Sequence, residues 1–188
     1  MHTLHRLYEF DNGMQLIVVL HRDYVDTWHE LVATNQFSIS HRVVVGGEER
    51  FHSVKCAIDS IQDEDAIVGI HDGVRPLVSL STLQGCYKAA EEKGNAVPII
   101  TVNDSLREVR GESNTSINRA NIRIVQTPQC FRQKDLRVAF AQHYQASFTD
   151  DASVMEAAGH TIHLVEGNRE NIKVTTPEDL TWAEWILR

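Results

Sequence analysis

No C-x-x-C pair occurs in the chain, and its three cysteines (Cys56, Cys86 and Cys130) are scattered and odd in number. That excludes a zinc ribbon or a disulfide framework and predicts reduced thiols in a cytoplasmic protein. No apolar run approaches the roughly 20 residues that span a bilayer, so a membrane is not an expected partner. The opening residues His2-Thr3-Leu4-His5 hold no apolar signal core, which leaves the N-x-[ST] triplets at Asn103 and Asn114 without a glycosylation context. The net charge is −8 with no basic stripe, which argues against nucleic acid. Local cations can still hold an anionic small molecule against that global sign. Signatures of metal and nucleophile chemistry are missing too. His29-Glu30 runs on as Leu31-Val32-Ala33 and makes no H-E-x-x-H, and there is no G-x-S-x-G elbow, P-loop or G-x-G-x-x-G.

What is present is an ordinary globular composition, 42% apolar and 23% charged over 188 residues. Such a chain suits one domain, 1–188, able to bury a core without staples. A near-continuous apolar run at 14–20 has strand length, and the stretches 41–45, 65–70, 96–102 and 161–165, with a short one at 123–126, read as strands. Between them, apolar residues recur at spacings of three and four over 24–33, 48–61, 81–93, 133–145 and 149–158. Thr176-Pro177-Glu178-Asp179 opens a last helix, with Thr176 as N-cap and proline at the first helical position. Strands that alternate with helices and are apolar on both faces predict a doubly wound, mostly parallel, Rossmann-like α/β sheet. In such sheets ligands bind beyond the carboxyl ends of the strands. Residues 103–122 break the rhythm: two short polar strands around Gly111-Glu112-Ser113-Asn114 read either as a protruding β-hairpin arm or as a surface loop.

Four strand ends carry candidate chemistry. His71-Asp72-Gly73-Val74-Arg75 follows the 65–70 strand. Asp72 there can hold a hydroxyl or a Mg²⁺ ion, and Arg75 can grip a phosphate; alternatively the two pair with each other. Gly46-Gly47-Glu48 lets backbone approach a ligand, or is a tight turn. Thr127 follows the 123–126 strand as a hydroxyl donor or a turn residue. Lys173 lies just before the last helix, where the helix dipole disfavours a cation unless an anion is bound nearby. Asp, Arg, Thr and Lys gathered at strand ends suit phosphate chemistry with Mg²⁺ and little covalent catalysis.

Six stretches together resemble the 2-C-methyl-D-erythritol 4-phosphate cytidylyltransferases of non-mevalonate isoprenoid synthesis: GGEERFHSV, HDGVRPLVS, VNDSLREV, QTPQCF, FTDDASVMEAAGH and LVEGNRENIKVTTPEDL. They stand in the family's order and cover nearly the whole chain. Ribitol 5-phosphate cytidylyltransferases share much of the pattern and are the nearest alternative substrate class. The resemblance implies that a polyol phosphate oxygen attacks the α-phosphate of CTP and pyrophosphate leaves. It implies that Gly47, Glu48, Ser53 and Gly73 hold the nucleotide, and that Asp72, Arg75 and Thr127 contact the polyol phosphate. Lys173 orients that phosphate for attack. It also implies that the arm reaches a second subunit in a homodimer, where Ser105 and Arg119 complete the partner's site. Members of the family open with a strand and a glycine-rich triphosphate loop, and nothing in residues 1–10 resembles them. With that first strand and loop missing, the 188 residues are expected to fold poorly and to turn over CTP negligibly. A non-catalytic dimerising remnant is the reading from another class.

Overall fold

The computed structural model describes residues 1–187. Its elements in chain order are α1 (His2–Phe10), β1 (Ile17–Leu20), α2 (Val25–Thr34), β2 (Arg42–Val45), α3 (Arg50–Asp59), β3 (Ile67–Ile70), α4 (Leu80–Lys93) and β4 (Asn95–Thr101). There follow the hairpin β5 (Leu106–Arg110) and β6 (Ser113–Ile117), then β7 (Arg123–Val125), β8 (Gln129–Arg132), α5 (Gln133–Ala139), α6 (Asp151–Ala157), β9 (Leu164–Glu166) and α7 (Pro177–Ile186). The α/β alternation expected from the sequence is therefore the architecture of the chain.

Local chemistry sets most of the helix ends. Ser79 accepts the Thr82 N–H and starts α4, and Gly94, in the left-handed region at φ 94°, ends it. Asp150 with Ser153 and Thr176 with Asp179 form reciprocal capping pairs on α6 and α7. Helix α5 stops at Ala139, short of the 145 expected from its spacing, because the Gln142 side chain donates to the Ala139 carbonyl. Strand β9 begins at Leu164, three residues later than expected. The Asn95 side chain takes the Thr161 carbonyl and the His163 N–H, and of these two residues only the His163 carbonyl, which accepts from Val97, bonds to β4.

The larger sheet has the order β3-β8-β4-β7, with β9 on the other edge of β4. Strands β3, β4 and β9 run the same way, and β7 and β8 run against them. β7 and β8 lie one after the other along a single edge of β4, with Gln126-Thr127-Pro128 as the break between them. Strand β8 was not foreseen, because its four residues run straight into α5. Alternation along the strands divides the core: Val97 and Phe131 face the α3–α5–α6 side, while Ala96 and Cys130 face α4.

β1 and β2 form a separate parallel pair. Leu4, Leu16 and Ile39 form their own small core with α1 and α2. No strand among the described residues pairs with the second edge of β1 or of β3. A cleft of about 1410 Å³ lies between them, lined by Val18, Val19, Val68 and Ile70 among others. The hairpin β5–β6 stands as a third sheet, and Val109 on it is 70% exposed.

Candidate active site

The chain leaves β3 at Ile70 and passes directly into His71-Asp72, while the antiparallel β8 brings Thr127 to the same end of the sheet. The Thr127 oxygen accepts the Asp72 backbone N–H at 3.0 Å and lies 2.9 Å from His71 Nδ1. Asp72 Oδ2 accepts from Arg75 Nε at 3.0 Å and faces Lys173 Nζ at 3.5 Å. Lys173 is brought there by the loop after β9. That loop is pinned by Arg75 Nη1 donating to the Asn171 carbonyl at 2.8 Å and Asn171 Nδ2 donating to the Thr127 carbonyl at 2.8 Å. Asp72, Arg75, Thr127 and Lys173, separated by up to 101 positions in sequence, thus make one polar cradle.

The electrostatics of the cradle follow from its partners. Burial works to raise the Asp72 carboxyl pKa, but the Arg75 hydrogen bond and the charges of Lys173, Arg75 and Arg50 outweigh it and hold it below the usual carboxylate value. Asp72 is therefore an anion at neutral pH. Lys173 remains half exposed and free to meet a second anion. Burial lowers the pKa of His71.

Helix α3 gives Arg50, Ser53 and Val54 to the cleft, and the turn from β2 leads into that helix. A Cβ on Gly47 would sit 2.5 Å from the His52 Cβ, so close packing on α3 requires the glycine there. Ser53 Oγ donates to the Gly47 carbonyl at 3.3 Å and steadies the turn. Glu48 is exposed beside it. Gly73 has open space where a Cβ would stand. Ser53, Arg50, Asp72 and Gly73 all line the same cleft.

Ser105 and Arg119 lie elsewhere, exposed at the base of the hairpin, where Arg119 donates to the Asn103 carbonyl. Neither makes a hydrogen bond or ion pair to the Asp72 cradle within this chain, among the described residues.

Sequence reasoning missed His71, Asn171 and the Arg50–Asp151 pair. Arg50 Nη1 and Nη2, at 2.8 and 2.5 Å, grip the fully buried Asp151 carboxylate and tie α3 to α6 beside the cleft. An arginine three residues after a glycine pair and a doubled aspartate at a helix start were the signals available for that pair. For a magnesium ion the donor set fits a one-carboxylate site. Both cations bind Asp72 Oδ2, so Oδ1 is free, and magnesium characteristically combines one or two carboxylates with substrate phosphates. Among the described residues there is no cluster of three His, Cys, Asp or Glu side chains that could hold a metal by themselves.

Comparison with known proteins gives this geometry a family. The family model described as IspD, 2-C-methyl-D-erythritol 4-phosphate cytidylyltransferase, matches residues 1–188. A protein of that name from Bacteroides thetaiotaomicron is 44% identical over 187 residues, covering 100% of this chain and 85% of the relative. One from Porphyromonas gingivalis is 43% identical over 188 residues, covering 100% and 83%. The crystal structure of the Thermus thermophilus protein of the same name superposes with a TM-score of 0.82 at 30% identity, covering 99% of this chain and 89% of that one. The chain belongs to the 2-C-methyl-D-erythritol 4-phosphate cytidylyltransferase family.

Proposed function

We propose that the protein transfers CMP from CTP to 2-C-methyl-D-erythritol 4-phosphate. A phosphate oxygen of the polyol attacks the α-phosphorus of CTP. The bond from that phosphorus to the bridging oxygen breaks, and pyrophosphate leaves with the electron pair. The observation that carries this reading is the convergence of Asp72, Arg75 and Lys173 at the end of β3. Phosphoryl and nucleotidyl transfers are driven by positioning and charge stabilisation, and this cluster supplies both. Asp72 as an anion accepts from polyol hydroxyls. Arg75 and Lys173 neutralise the attacking phosphate and hold it facing the nucleotide. Gly47, Glu48 and Ser53, with Gly73 beside Asp72, form the nucleotide side. A bound Mg²⁺, held by Asp72 and phosphate oxygens, would neutralise charge on the triphosphate. The three unpaired thiols suit a cytoplasmic setting.

The arm completes the reading. Its exposed hairpin pairs with a second copy, so that Ser105 and Arg119 of the partner subunit reach the polyol phosphate. The test follows radiolabel from CTP into a CDP-polyol. Product is expected from the wild-type protein. Lys173→Ala should lower the rate about 10²-fold, the scale of losing one transition-state donor. Mixing Lys173→Ala with Arg119→Ala protein should restore product, since one site of each heterodimer is then intact. Wild-type protein that neither binds the polyol phosphate nor yields product overturns the function. Product formation without restoration on mixing overturns the shared site.

A further inference from the structure

His71 plays no part in the reading above, yet it lies under the cradle. Its Nε2 is 3.0 Å from the Arg75 carbonyl oxygen. A carbonyl only accepts, so Nε2 carries the ring proton. In the neutral ring Nδ1 is then an acceptor, and its partner at 2.9 Å, the Thr127 hydroxyl, must be the donor. With its proton committed to His71, the Thr127 oxygen accepts the Asp72 backbone N–H at 3.0 Å. The opposite assignment fails on counting. A proton on Nδ1 would give Thr127 two incoming donors and leave its own hydroxyl proton without an acceptor among its recorded partners. Three hydrogen bonds therefore run in one direction, from the Asp72 N–H through Thr127 and His71 to the Arg75 carbonyl. They begin and end on the two residues whose side chains make the 3.0 Å ion pair.

We propose that His71, fixed as the Nε2–H tautomer, is a positioning residue that acts through Thr127 to lock the 72–75 turn and so aim the Asp72 carboxylate and Arg75 at the substrate phosphate. The functional half of this inference rests on the phosphate-binding reading above. Thr127 on this account serves as a relay and has no proton left to donate to a phosphate.

Intact protein and the variants His71→Gln, Thr127→Val, Thr127→Ser and the double His71→Gln/Thr127→Val provide the test. A long-range ¹H–¹⁵N correlation of the imidazoles, with the His71 signals identified by their loss in His71→Gln, should show the Nε2–H tautomer. Exchange of the Asp72 amide should quicken about tenfold in His71→Gln and Thr127→Val and stay as in wild type in Thr127→Ser, which keeps the hydroxyl. Calorimetry should show 2-C-methyl-D-erythritol 4-phosphate binding weakened about five- to tenfold by either single change, no further in the double, and not at all in Thr127→Ser. An Nδ1–H tautomer, an unaltered Asp72 amide or an additive double variant overturns the proposal. Should wild type bind no polyol phosphate, the function above fails, while the tautomer and the amide still decide the relay.

Discussion

The two sides of the cleft are built differently. On the β3 side, strand β8 lies between β3 and β4, and Phe131 on it is fully buried in a core shared by α3, α5 and α6. The loops above it are tied by Asn171, Gln126 and Arg75 into a hydrogen-bonded knot. On the other side, β1 and β2 pair only with each other, every residue of β1 is half-buried, and the small core beneath them rests on Leu4, Leu16 and Ile39. The Asp72 cradle thus stands on the densely packed side, and the opposite edge of the cleft is the sparsely packed β1–β2 pair. Stability differs across a structure with the density of buried apolar contact, and here the line of division runs through the site.

The largest effect should come from the rigid side. Phe131→Ala removes a fully buried ring and should cost about 3–5 kcal/mol, lowering the denaturant midpoint for every probe together. Leu16→Ala, 7% exposed in the small core, should cost about 2–3 kcal/mol in a different manner. Amides of β1 and β2 should exchange through a local opening while those of β4 and β8 keep wild-type protection. Equal loss of protection across both sheets would dissolve the contrast. The smallest effect sharpens it: Ser53→Ala deletes the hydroxyl that steadies the Gly47 turn. CTP affinity should fall about fivefold, worth about 1 kcal/mol, with polyol-phosphate affinity unchanged by calorimetry.

Much of this was legible in the sequence, for identifiable reasons. Apolar runs located β1 to β4, and Thr176-Pro177 placed the start of α7 at the residue where it occurs. The placement of Asp72 after β3 followed from the rule that strand ends carry function. Less was visible where side chains compete with backbone. Asn95 delays β9 and Gln142 ends α5 early, and neither event leaves a mark on apolar periodicity. The reversed strands β7 and β8 were hidden because a run of three or four residues reads the same in either direction. The His71 relay was hidden because it depends on two hydrogen bonds to residues 4 and 56 positions away.

The break between β7 and β8 ties the arm to the chemistry. The hairpin hands the chain to β7, which clasps β4 through Ile99, Ile100 and Thr101, and only Gln126 then separates β7 from Thr127. A pull on the hairpin would therefore have only the three-residue β7–β4 ladder to pass before it reached the Thr127 hydroxyl beneath Asp72.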